Sequence, residues 1–362
     1  MEAITARLKT LTSFSALAGF EEPMAQYMMK ELGQYTDEVS VDTLGNITAV
    51  FPGASPGPSC MVFAHMDELG MIVSDIEPDG YLRFERVGGL PEKVLPATAV
   101  QIRSNNGTLI PGIVAVKSHH ATPPEEKYKV IPYKELFIDI GAASDEDVEA
   151  MSIGVGSPIT YMGGFLELAN GRVAAKALDN RGGCLALLLL AEMLNERPPK
   201  HTVYIVATVQ EEFNLRGAMV AAQRLRPDCA ICYDLALTGD TPDLRKNKGI
   251  RIGGGPSVSH FSFHGRGTLN GLIPHPTLLR LAQDVAKEHN LRYQNSVMMG
   301  GLTDASYVQL TGDGVACIDL QFPVRYTHTP WELADVHDIL EMVRWTEYLL
   351  LALDPTITFK RS

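Results

Sequence analysis

The chain has 362 residues, enough for one large domain or two ordinary ones, and 45% hydrophobic with 20% charged residues is a globular composition. With 43 Asp and Glu against 31 Lys and Arg, the formal charge is −12. That balance excludes the basic footprint needed to bind nucleic acid or an anionic membrane, and no partner of either kind is expected.

The first 34 residues carry apolar positions at helical spacing (Ile4, Leu8, Leu11, then Met24, Tyr27, Met28, Leu32), interrupted by Ser-Ala-Leu-Ala-Gly-Phe. The opening stretch is amphipathic and lacks the apolar centre of a signal peptide. Residues 39–41 and 47–51 read as strands around a Gly45-Asn46 turn, and 54–59 as a loop. Three apolar runs follow along the chain: CMVFA (60–64), TVYIVATV (202–209) and CAICY (229–233). They do not alternate with polar residues, which predicts strands buried on both faces, as in a parallel sheet. Helices are predicted over 181–196, 276–290 and 332–353, the last from Leu333, Val336, Ile339, Leu340, Val343 and Leu350. The run LALLLLAEML (185–194) is too short to span a bilayer.

Residues 70–165 have a different texture. Short alternating strands (YLRFERVG, AVQIRS, GTLIPGIVAV) are punctuated by Gly, Pro and Asn-Gly, and a charged Pro-containing stretch occupies 122–135. The expectation is an α/β, doubly wound and largely parallel sheet covered by helices, formed by 1–69 and 166–362. A small β-rich, barrel-like module, 70–165, is inserted into it. No internal repeat is visible.

The five cysteines, an odd number, lie mostly in apolar runs and read as buried, reduced thiols of a cytoplasmic protein. Cys229-x-x-Cys232 encloses Ala-Ile rather than turn residues, so a buried strand is favoured over a redox or zinc motif.

Each buried run leads into groups able to hold a metal. CMVFA is followed by His65 and Asp67, TVYIVATVQ by Glu211-Glu212, and CAICY by Asp234. Ligand sites of open α/β sheets lie beyond the carboxyl ends of the strands, so these groups converge on one sheet edge. Asp179 in AKALDNRGG and His328 in RYTHTPWE are further candidates. Imidazoles and carboxylates together suit two divalent ions per subunit, zinc or cobalt and also manganese, whereas calcium and magnesium rarely take histidine. A co-catalytic pair about 3.5–4 Å apart needs a bridging carboxylate, and one further carboxylate must stay free to carry protons. Glu211 and Glu212 can divide those duties, because neighbours at a strand end diverge. Any one of these elements alone is commonplace; the conjunction carries the argument.

Taken in order, His65-Met66-Asp67-Glu68-Leu69-Gly70, Ala177-Leu178-Asp179-Asn180-Arg181, Gln210-Glu211-Glu212 with Arg216-Gly217-Ala218, Asp234, and Arg325-Tyr326-Thr327-His328 resemble the glutamyl aminopeptidase family, which includes the tetrahedral TET-type metallo-aminopeptidases. Gly300-Gly301-x-Thr303-Asp304-Ala305 resembles a further loop of that family, and the resemblance runs from Asp42 to the final helix. It implies that His65, Asp179 and Asp234 hold one metal and that Asp179, Glu212 and His328 hold the other, with Asp179 bridging. It also implies Glu211 as general base, Asp67 orienting His65, and peptides as substrates. The inserted module would be a dimerisation domain, with self-association into a dodecamer. Two departures occur: Phe263-His264-Gly265-Arg266-Gly267 replaces an Asp-Arg pair, and Leu302 follows the paired glycines. His119 and His120 are read as an exposed loop pair, although they could reach a neighbouring active site, and His260, His264 and His275 as neighbours of the first departure. The alternatives are another two-metal amide hydrolase, deacylase- or carboxypeptidase-like, and a non-catalytic assembly protein on the same fold.

Overall fold

In a computed structural model, residues 1–244, 249–265 and 271–360 are described. At the centre, strand Cys60–His65 runs parallel to Val203–Thr208 on one side and to Cys229–Leu237 on the other. Ala316–Arg325 continues the parallel set beyond Cys229–Leu237. Outside this core the pairing turns antiparallel, through Ile47–Phe51 at one flank and Glu332–Asp335 with Arg172–Ala175 at the other. The sheet is therefore mixed, parallel where it is most deeply covered.

Those central strands explain their own composition. In Cys60–His65, Cys60, Val62 and Ala64 join one apolar cluster while Met61 and Phe63 join another across the sheet. Side chains alternate between faces, so a strand covered on both must be apolar at nearly every position. The first face is covered by helices Glu2–Ser13, Glu22–Leu32, Leu178–Glu196, Pro276–Glu288 and Val336–Ala352. The other carries Gly217–Leu225 and Ala305–Val308. Helix Leu178–Glu196 lies between the sheet and the outer helices, and is apolar almost all round for that reason.

A closed six-stranded barrel follows directly on the His65 strand. Its strands are Gly70–Ile76, Leu82–Val87, Ile138–Asp139, Leu109–Val114, Ala99–Arg103 and Pro158–Tyr161, in that neighbour order. It has a core of its own, including Met71, Val73, Phe84, Val100, Ile102 and Ile159. Only Asp67 and its neighbours separate the barrel from the sheet edge.

Two expectations are corrected. Residues 332–335 form a strand, paired with both Arg172–Ala175 and Ala316–Arg325, and the helix begins at Val336. Leu333 and Val336 mimic helical spacing, but Asp335 caps the helix by accepting the His337 N–H at 3.0 Å. Asp234 does not follow a strand that ends at Tyr233; it lies inside Cys229–Leu237, which pairing with Ala316–Arg325 prolongs.

Candidate active site

The strand ends place the predicted groups together. Asp179 occupies the centre, where the chain enters helix Leu178–Glu196 with non-helical backbone at Asp179 and Asn180. Its Oδ1 is 3.2 Å from His65 Nε2 and its Oδ2 is 3.4 Å from His328 Nε2. Ligand-bearing atoms of His65, Asp179 and Asp234 lie within 4.8 Å of one another, and so do those of Asp179, Glu212 and His328. Glu211 and Glu212 diverge. Glu211 Oε2 stands 4.0 Å from His65 Nε2, and Glu212 Oε1 stands 3.7 Å from His328 Nε2.

Asp67 organises this pair. Its Oδ1 accepts the Glu211 N–H at 3.0 Å and its Oδ2 the Glu212 N–H at 2.9 Å. It also faces His65 Nδ1 at 3.5 Å, although the Asp67 carbonyl oxygen is nearer, at 3.2 Å. The preceding amide, of Gln210, donates to Glu21 at 3.0 Å, and Gln210 itself adopts a positive φ of 57°. Three consecutive amides of the double-glutamate turn are thus held by buried carboxylates.

The barrel contributes through Gly88-Gly89. The Gly89 carbonyl lies 3.0 Å from His328 Nδ1, and a Cβ at Gly88, whose φ is +86°, would meet Glu212 Oε2 at 3.3 Å. Each imidazole therefore has its Nδ1 turned to an oxygen outside the centre and its Nε2 to carboxylates within it, and with the proton on Nδ1 the Nε2 is an acceptor. Acceptors facing acceptors repel unless a proton or a cation stands between them, and the donor set is nitrogen with carboxylate oxygen. These residues fit a pair of divalent ions.

The electrostatics point the same way. Burial pushes the Glu211 carboxyl well above the usual range, helped by Glu212, Asp234 and Asp304 and opposed by His65. Burial raises Glu212 to about 7, and Asp234 is raised by burial and by Asp179. Burial would lower both histidines, yet hydrogen bonds to Asp179 and Asp67 raise His65, and Glu212 and Asp179 raise His328 to about 10. Asp179 alone stays low, held by both imidazoles against its own burial.

Several organising residues went unassigned in the sequence. Glu332 accepts the Asp179 N–H at 2.8 Å, the His328 N–H at 2.7 Å and the Thr327 hydroxyl at 3.3 Å. Glu68 makes a buried ion pair with Lys176 at 2.6 Å, with Arg181 at 3.5 Å, and accepts the Ala16 N–H at 3.0 Å. Glu68, Arg181 and Glu332 each lie within four positions of a predicted site residue, which is the one local signal they offer; Glu21 offers none. The remaining histidines stand apart. His119 and His120 are exposed and meet edge to face with ring centroids 5.7 Å apart, and His260 bonds Asn295 at 2.7 Å. Of the first departure, Arg266 and Gly267 lie outside the described residues. All five cysteines are buried and free, with Cys229 inside a strand. Among the described residues, no helix is long and apolar enough to cross a membrane.

The family model for M42 glutamyl aminopeptidases matches residues 45–345. The protein SgcX of Escherichia coli K12 is 40% identical over 338 residues, covering 93% of this chain and 90% of that one. The structure of aminopeptidase APDkam598 from Desulfurococcus kamchatkensis superposes with a TM-score of 0.92 at 34% identity, over 98% of this chain and 96% of that one. The TET1 peptidase of Pyrococcus horikoshii, described as able to assemble into a tetrahedron or a large octahedral shell, superposes with a TM-score of 0.85 at 27% identity, over 97% of this chain and all of that one. With its sheet, barrel and residue order in agreement, the chain belongs to the M42 glutamyl aminopeptidase family and is a peptidase.

Proposed function

We propose that this chain is a two-metal aminopeptidase that removes N-terminal residues from peptides. One observation carries the reading: two triads of ligand atoms share Asp179, and each of its oxygens faces a different histidine. His65, Asp179 and Asp234 would hold one ion, and Asp179, Glu212 and His328 the other; zinc, cobalt or manganese suits this donor set. When bound, the ions supply Lewis acidity to the scissile carbonyl and to the attacking water. Glu211 is the general base. It is half-buried with its carboxylate 4.0 Å from His65 Nε2, its backbone N–H is held by Asp67, and its raised proton affinity suits a group that takes a proton from water and returns it to the leaving amine. Asp67 fixes His65 and the glutamate turn together.

The family context also supports self-association, as for the TET1 peptidase, with the barrel at 70–165 as the contact module of a dimer and a dodecamer as the assembly. The absence of a spanning helix among the described residues is compatible with a cytoplasmic location.

The test is a chelated protein reloaded with zinc, cobalt or manganese and assayed on aminoacyl chromogenic substrates with free and with blocked amines. Two ions per chain, with turnover of the free-amine substrates alone, are expected. Equal turnover of blocked substrates would overturn the aminopeptidase reading in favour of another amide hydrolase. Mass measurement in solution tests the assembly, and a monomer at assay concentration would remove it.

A further inference from the structure

A small cleft opens beside the Asp179 centre and is lined on its acidic side by Glu68, Asp179, Glu212 and Glu332. The scissile carbonyl oxygen of a peptide held at this centre gains negative charge during hydrolysis, and beyond what bound ions would supply, the carboxylates of the lining stabilise none of it. The hydrogen-bond donors of this lining are few. His328 has its Nδ1 turned to the Gly89 carbonyl at 3.0 Å, and the Thr329 hydroxyl donates to the Tyr326 carbonyl at 2.7 Å. Tyr161 is left. It lines the same cleft, is 2% exposed, and its hydroxyl has no hydrogen-bond partner among the described residues.

That hydroxyl is unexplained by the fold. The Tyr161 ring belongs to the barrel's apolar cluster, and the backbone closes the barrel by pairing with Val100. Packing therefore needs only the ring, which phenylalanine would supply. A buried O–H without a partner weakens a protein, so its retention calls for a use.

We propose that Tyr161 is a catalytic residue whose hydroxyl donates a hydrogen bond to the carbonyl oxygen of the scissile bond as charge builds there. The proposal rests on the aminopeptidase reading above and deepens it, since it makes the barrel a contributor to the chemistry. The phenol keeps its proton throughout, and the proton taken from water still passes through Glu211 to the leaving amine. Burial, with Glu332 nearby, raises the proton affinity of the phenol, so it remains a donor across the working range.

Tyr161→Phe removes the donor and keeps the ring. The metal-loaded wild type and variant are compared for kcat and KM on a free-amine aminoacyl substrate, for metal content, for Tm, and for affinity of a phosphinic analogue of the tetrahedral state. Expected are a kcat lower by about 10²-fold or more with KM and metal content unchanged, analogue affinity reduced in parallel, and a Tm equal or higher. A purely structural hydroxyl would lower Tm and spare kcat, which overturns the proposal. Wild-type kcat in the variant, or a loss explained by lost metal or by KM alone, also overturns it. A wild type inactive on every substrate overturns the aminopeptidase reading and this donor together, whereas an active wild type with an equally active variant overturns the donor alone.

Discussion

Asp179 is the one carboxylate of the centre whose proton affinity falls, while Glu211, Glu212 and Asp234 around it are raised by burial. The contrast suits the proposed roles: two imidazoles keep ionised the carboxylate that would be shared between the ions, and desolvation keeps basic the one that would carry the proton. Glu211→Gln should retain both metals and lower turnover about 10²–10⁴-fold, read from kcat alongside elemental analysis. Near-normal kcat would remove Glu211 as the base. Glu332→Ala acts differently, because it strands the buried amides of Asp179 and His328 and the Thr327 hydroxyl. Metal affinity should fall about 10–100-fold, measured by titration against a competing chelator. The ligand types at this scale are visible in the chain, since His65, Glu211 and Glu212 lie just at or beyond apolar strands. Glu332 was hidden because its role depends on a backbone amide 153 residues away.

At the scale of elements, the buried Glu68–Lys176–Arg181 group ties the segment between the first two helices to the site. Lys176 donates to the Phe14 carbonyl at 2.7 Å and Arg181 to the Leu11 carbonyl at 2.8 Å, while Glu68 and Ala16–Ala18 exchange backbone hydrogen bonds. Lys176→Met removes one charge from a closed, buried set and should cost roughly 3 kcal/mol, seen as a lower denaturant midpoint at unchanged slope. An unshifted midpoint would show that Arg181 alone neutralises Glu68. The elements themselves were largely readable. Helices Leu178–Glu196 and Pro276–Glu288 and strands Cys60–His65 and Val203–Thr208 follow their hydrophobic patterns closely, while Cys229–Leu237 outruns its apolar run. The stretch 332–335 was not, because four residues spaced like a helix pair with two strands instead, and pairing is a property of the neighbours.

For the whole molecule, the acidic centre links stability to pH and to metal. In metal-free protein, burial raises Glu21, Asp304 and Asp319 to about 7 and Glu332 to about 8, with His328 at about 10. These folded values exceed the ordinary ones of about 4 for carboxyls and 6.5 for histidine, so the folded chain binds more protons and loses stability as pH rises through them. Asp179 contributes with the opposite sign, as do Glu85, Glu146, Asp240, Asp243 and Asp354 away from the centre, whose titration is complete at lower pH. The Tm of chelated protein should therefore fall between about pH 5 and pH 8, and added zinc or cobalt should restore most of it at pH 8, where cations bind the ionised carboxylates. A chelated Tm flat across that range, or unmoved by metal, would contradict this account.

By itself the sequence determined the kinds of element, the division between an α/β body and a β-rich module, the inventory of candidate ligand residues and the family. All of these reside in local periodicity and in motifs a few residues long. Tertiary structure alone decided how that inventory is used. It turned the two oxygens of Asp179 to different histidines, gave Asp67 the amides of both glutamates, and set Glu68 against Lys176, 108 residues away. It also brought Gly89 and Tyr161 of the barrel to the edge of a sheet to which they do not belong. A sequence pattern records which face of an element is buried, whereas the partner met on that face depends on how distant elements pack.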